Sequence, residues 1–400
     1  MWLKMLSKLI EIGTLLGKDH AQDCERFRTH WDEHIQNSRR MILLGASRIA
    51  EPESVTVLGG GAAYNIPIEQ LAQRFNRIRL VDIDRDGLQQ TVDSLPPDCR
   101  SKIEMVVGDT TGGVAARLLG LGLEIIQQSG TSEEAVSRLV PLFQGEGLDM
   151  SPDAGQIEDW KASYVVSSGL SSQLTIFPEK GVLHAFQGKF NIELEEDFFF
   201  TRGSFALRNT WVRRHGELLD SLVFPKGRVY WADTVAETPY LNEFGQAPLA
   251  VIVEAVTTFL EGTYLKTFLT ENGKQVLADR FAEGLPGRRP QGDELLQGFP
   301  QLHPEKKRRF AWAMMTLAGE NLITPKRELE LIKYIIREAE RRFTTARQPM
   351  LDGGKLSGFF PNSLLPDGNM ASWLWINDPE GAVTLNGYSY YIDAQILKKS

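Results

Sequence analysis

The chain has 400 residues, with 44 lysines and arginines against 52 aspartates and glutamates, for a net charge of −8. Apolar residues make up 42% and charged residues 24%, ordinary globular usage that excludes wholesale disorder, while the acidic balance excludes a uniformly basic nucleic-acid coat. The two cysteines, Cys24 and Cys99, exclude a disulfide framework and a cysteine-rich zinc site, and they point to a reducing compartment, the cytoplasm.

Met1 to Gly17 carries Leu3, Leu6, Leu9, Ile10 and Ile12 at the spacing of an amphipathic helix. Lys4, Lys8 and Glu11 interrupt it too often for a signal peptide. Residues 18–50 are also helical in pattern, so 1–50 reads as an N-terminal helical segment. No apolar run approaches the roughly 20 residues needed to cross a bilayer. A strand–loop–helix succession starts at Ser54–Leu58, passes Gly59-Gly60-Gly61, and enters a helix near Pro67 with Asn65 as its cap.

Arg77–Asp82 reads as a second strand, Asp86–Leu95 as a helix, and Lys102–Val107 as a third strand ending in Gly108-Asp109. Helices follow at Val114–Leu121 and Ser132–Phe143. Ala162–Ser167 is a fourth strand, Arg202–Leu222 a helix, and Arg228–Ala232 a fifth strand with Asp233 at its end. This alternation predicts an α/β fold, a doubly wound, mostly parallel sheet. Pro248–Phe343 is dominated by helical periods and reads as an insertion. Ser372–Ile376 and Tyr388–Leu397 then flank a turn-rich link, the signature of an antiparallel hairpin. The divisions are 51–240 for the sheet core, 241–345 for a helical insertion forming a lid, and 346–400 for the hairpin that completes the sheet.

The chemical signal lies in Val55–Tyr64. Glycines after a strand permit a sharp turn and close ligand approach, and the helix that follows offers unpaired N–H groups. Asp82 ends the next strand, where a carboxylate accepts hydrogen bonds from both ribose hydroxyls, and Asp109 ends the third. All three features fall at the carboxyl ends of strands, where open α/β sheets bind ligands. A dinucleotide fingerprint wants glycine or alanine at its sixth place, where this chain has Tyr64.

At these residues the sequence resembles the class I S-adenosylmethionine-dependent methyltransferases. Val57–Gly61 is similar to their first motif, Leu80–Asp84 to their second, and Val107–Asp109 to their third. Tyr164–Gly169 and Gly227–Ala232 are similar to strands four and five, and the terminal pair to strands six and seven. The resemblance covers roughly residues 40–240 and 370–400. It implies a seven-stranded sheet with an antiparallel last strand. It also implies that Gly59, Gly60, Gly61, Asp82, Asp109 and Ser167 hold S-adenosylmethionine. Gly59 and Gly61 would face its methionine part, Asp82 its ribose, and Asp109 its adenine amino group. Leu58 stands where the family often has an acid. Ser167-Ser168 replaces the Asn/Asp-Pro-Pro-aromatic of enzymes that methylate planar nitrogens.

The activity implied is methyl transfer to a small-molecule acceptor. Aminopropyl-type transfer from the same cofactor family, or non-catalytic cofactor binding in an assembly, are the alternatives. Tyr64 and His184 are the weak candidates for a catalytic group, with Trp231 placed beside the same cleft. His215 reads as a surface or packing residue. Histidines at metal-ligand spacing are absent, so no metal is expected. No nucleic acid or membrane span is expected, and self-association is left open.

Overall fold

A computed structural model describes residues 6–14, 22, 25–151, 154–171, 174, 176–192, 198–239, 348–351, 355–376 and 388–400. The insertion predicted over Pro248–Phe343 lies outside them, as does the link between the last two strands.

Residues 6–14 are helical, and α1 follows at Arg28–Ser47. The core then alternates β1 (Ser54–Leu58), α2 (Ile68–Arg74), β2 (Arg77–Asp82), α3 (Arg85–Asp93) and β3 (Ile103–Val107). Next come α4 (Val114–Gln128), α5 (Ser132–Phe143), β4 (Ala162–Ser168), α6 (Ile176–Phe190) and α7 (Phe198–Leu222). The sheet ends with β5 (Val223–Pro239), the two-residue β6 (Gln348–Pro349), β7 (Leu364–Ile376) and β8 (Tyr388–Lys399).

The strand order is β3-β2-β1-β4-β5-β8-β7, with β6 pairing on β5. β1 to β5 are mutually parallel, whereas β8 runs antiparallel to both β5 and β7. The expected α/β architecture with a reversed last strand is therefore the one observed. The fifth strand differs from its expected bounds, since it continues past Asp233 to Pro239 with an irregularity between Thr234 and Ala236.

Alternation along each strand sorts the core into two faces. Val55, Val57, Leu80, Tyr164, Val166 and Ala232 pack under Met41 and Ile42 of α1 and Leu71 of α2. Leu58, Val81, Val165, Val229 and Trp231 face Val212, Leu218 and Leu222 of α7. α6 packs on α4, where Val182 meets Leu118 and Leu119 in a third cluster.

The N-terminal helical segment belongs to this core. Trp31, Ser38, Ile42 and Ala46 recur at helical spacing on α1 and are buried. The Tyr164 hydroxyl donates to the Ile42 carbonyl at 2.8 Å, fixing the helix to β4. Gly45 permits that approach, because a Cβ there would lie 2.4 Å from the same hydroxyl oxygen.

Candidate functional site

A cleft of about 370 Å³ opens along the carboxyl edge of the sheet. Its floor follows the strand order, with Asp109 after β3, Asp82 on β2, Gly59 and Gly61 after β1, and Ser168 on β4. Ala232 on β5 and Ile392 on β8 complete it. The chain order reverses direction between β1 and β4, the switch point at which such sheets bind ligands.

The glycine loop is built around Asp82. Gly59 has φ +74°, a conformation that side chains with a Cβ rarely adopt, and its N–H donates to the Val81 carbonyl at 2.9 Å. The Gly61 N–H donates to Asp82 Oδ2 at 2.8 Å and the Asp84 N–H to Oδ1 at 2.9 Å. Thr91 Oγ1 donates to the Gly61 carbonyl at 2.6 Å and holds the loop from α3. A Cβ on Gly61 would lie 3.1 Å from Asp82 Oδ2. Gly60 differs from its neighbours. It is absent from the lining, and a Cβ there would meet Leu80 Cβ at 3.2 Å, so it serves packing against β2.

Burial pushes the Asp82 carboxyl up to about 6, against the opposing pull of the Asp84 and Gly61 N–H groups. A carboxylate offers about four lone-pair positions, so the bonds from its own loop leave Asp82 acceptor capacity for a ligand.

Asp109 stands at the cleft but is committed to its own chain. Its Oδ1 accepts from the Thr111 N–H at 2.9 Å and from the Thr111 hydroxyl at 2.5 Å. Its Oδ2 accepts from the Ala116 N–H at 3.1 Å. The carboxylate thus holds the first turn of α4, and a single acceptor position remains on Oδ2. Burial also raises its pKa, chiefly opposed by the Thr111 bonds.

Ser167 requires a correction. It is fully buried, and its Oγ lies 2.8 Å from His215 Nε2 on the face of the sheet that α7 covers, outside the cleft lining. Ser168, one residue on, is the cleft residue, because successive strand side chains alternate faces. Its Oγ accepts from Asn65 Nδ2 at 3.0 Å, so Asn65 ties the loop after β1 to β4 rather than capping α2.

His215 is buried and held neutral, with burial pushing its pKa down to about 3. Trp231 is also fully buried on that face, its ring 5.8 Å from that of His215, and takes no part in the cleft. His184 lies exposed on α6 outside the lining, so the sequence placed it wrongly at the cofactor edge. Tyr64 does line the cleft, and its carbonyl accepts from Arg39 of α1 at 2.8 Å.

The sequence reading missed the roof. Leu9 and Gly13 from the first helix and Trp31, His34 and Ile35 from α1 close one side of the cleft. Their signal was the helical period of residues 1–50, which the sequence reading sets apart as an N-terminal segment outside the sheet core. Among the described residues no His, Cys, Asp or Glu group is arranged to hold a metal, and no helix is long and apolar enough to cross a membrane.

No protein-family model and no curated protein matches the chain. Among solved structures it is similar to an O-methyltransferase family protein from Burkholderia thailandensis, at 13% identity and TM-score 0.26, over 53% of this chain and 41% of that one. It is also similar to the N-methyltransferase NodS from Bradyrhizobium japonicum WM9 in complex with S-adenosyl-L-homocysteine, at 10% identity and TM-score 0.23, over 52% of this chain and 62% of that one. A third is DesVI of Streptomyces venezuelae, at 13% identity and TM-score 0.25, over 54% of this chain and 64% of that one. The chain spans between 41% and 64% of the length of these structures.

Proposed function

We propose that the chain transfers a methyl group from S-adenosylmethionine to a small-molecule acceptor. The observation that carries this reading is the half-buried Asp82 at the end of β2, aimed into the cleft beside a glycine loop that a Cβ on Gly61 would crowd. The donor set fits a nucleoside. Asp82 has acceptor capacity for ribose hydroxyls, and Asp109 keeps one acceptor position for an adenine amino group. Leu9, Ile83 and Leu174 supply an apolar wall at that end.

When bound, the cofactor supplies an electrophilic methyl group on a sulfonium. The chain's own residues hold the nucleoside, align the acceptor, and exclude water from the cleft through the α1 roof. Calorimetry tests the reading. Binding of S-adenosylmethionine and of S-adenosylhomocysteine in the micromolar range, about −8 kcal/mol, is expected. Heat with NAD and none with either of these ligands refutes it.

A further inference from the structure

Behind the β3 end of the cleft lies a second, much smaller cavity of about 10 Å³. Thr111 and Leu174 line both, so these two residues stand between them. Trp211 and His215 of α7 are four residues apart, one helical turn, and both line the small cavity. Each is only 2% exposed. Val114, Met150 and Leu218 add apolar wall. Arg214 also lines it, with its guanidinium paired to Glu217 at 2.5 Å.

Two polar atoms of this wall are left unmatched by the fold. Trp211 Nε1 and His215 Nδ1 are buried, and among the described residues neither finds a hydrogen-bond partner. The other ring nitrogen of His215 is satisfied, 2.8 Å from Ser167 Oγ. A buried N–H or ring nitrogen kept dry forfeits its hydration with nothing in return. Thr111 brings an acceptor to the same wall. Its hydroxyl donates to Asp109 Oδ1 at 2.5 Å and accepts from the Ala115 N–H at 2.9 Å, which leaves one lone pair.

We propose that this cavity is the binding site of one ordered water, which accepts from Trp211 Nε1–H and links it to His215 Nδ1 and the Thr111 hydroxyl. The volume is about that of one water, and three hydrogen bonds are usual for a buried one. An indole N–H only donates, so the guest must accept, which excludes an ammonium ion. His215 Nδ1 accepts in one tautomer and donates in the other. Water answers both, whereas a halide answers only a donor. The consequence is mechanical. Thr111 holds the Asp109 carboxylate through its N–H and its hydroxyl, so the water ties α7 to the loop at the β3 end of the cleft. Trp211 and His215 are then positioning residues for that loop, although neither lines the cleft itself.

Water-selective NMR on the full chain, labelled with nitrogen-15, tests the site in the unaltered protein. The Trp211 indole N–H should show cross-relaxation with a long-lived water. A high-resolution crystal structure should place one oxygen within about 3.2 Å of both Trp211 Nε1 and His215 Nδ1. In Trp211→Phe the His215 nitrogen resonances should shift. The Thr111 N–H, which donates to Asp109 Oδ1, should then exchange with solvent about tenfold faster. His215→Phe should raise the same exchange rate, and the double variant no further than either single one, because all three lack the same bridge. A dry cavity, an indole N–H without water cross-relaxation, or an anomalous-scattering peak at the site in crystals soaked with bromide overturns the water site. Additive exchange rates in the double variant, or Thr111 exchange unchanged in both single ones, overturn the tie to the Asp109 loop.

Discussion

Two titratable side chains, half-buried Asp82 and fully buried His215, give the molecule opposite responses to acid. Asp82 is raised to about 6, so the folded state holds its proton more tightly than the unfolded chain does. Its contribution to stability is full below the unfolded value of 3.8 and is lost as pH rises to about 6. His215 is lowered from 6.5 to about 3, so its contribution is full above 6.5 and is lost as pH falls toward 3. Each proton is worth about 1.4 kcal/mol per pH unit, and between 3.8 and 6 the two slopes cancel. Denaturant titrations across that window should therefore give a nearly flat share from this pair. Asp82→Asn should unmask a loss of stability on acidification, and His215→Phe a gain; equal slopes in both variants would show the assignments to be wrong. Ligand binding reads the same group. Ribose hydroxyls need the ionised carboxylate, so nucleoside binding at pH 6 should release about half a proton, measured by calorimetry in buffers of different ionisation heat. Asp82→Ala should abolish that release and weaken binding by about 1.5–3 kcal/mol, the usual worth of hydrogen bonds to a charged group. Asp82 was legible in the sequence because an acid after a β-branched run needs no knowledge of packing. Ser167 was mistaken for Ser168 because a one-residue uncertainty at a strand end reverses the face.

At the scale of elements, the first five strands were legible from short β-branched runs followed by glycine or an acid. α1 was legible as a helix and illegible as part of the core. Its buried face includes Ser38 and Gly45, which carry no hydrophobic signal, and the residue that makes Gly45 necessary is Tyr164, far along the chain. The helix positions His34 over one end of the cleft and, through Arg39, the loop at Tyr64. Gly45→Ala places a methyl group within 2.4 Å of the Tyr164 hydroxyl oxygen, so α1 must lift or Tyr164 must turn. A destabilisation of about 1–3 kcal/mol is expected, typical of overpacking. Gly45→Ala with Tyr164→Phe should recover part of it, since the clashing atom is then removed. If Gly45→Ala melts as wild type does, the contact between α1 and β4 is looser than the geometry states.

For the whole molecule, the position of β8 matters more than its sequence suggests. The hairpin with β7 was legible from the turn-rich link. Its insertion between β5 and β7 was not legible, because pairing partners lie far apart in the chain and local pattern does not name them. β8 pairs with β5 from Arg228 to Pro239 and with β7 along its other side. It buries Ile392, Ala394, Ile396 and Leu397 and places Ile392 in the cleft. A chain ending before Tyr388 would leave both neighbouring strands with unpaired backbone groups and strip this apolar strip from two core clusters. Such a chain should show no cooperative melting transition and no stabilisation by S-adenosylhomocysteine. The intact chain should gain about 2.7 kcal/mol at a ligand concentration one hundred times Kd. Adding residues 388–400 as a separate peptide should restore part of both signals, because the strand makes its contacts through backbone pairing and side chains that need no covalent link to β7. A truncated chain that melts cooperatively and binds ligand without the peptide would mean that β1 to β5 with their helices form the stable unit, with the reversed strand an addition to it.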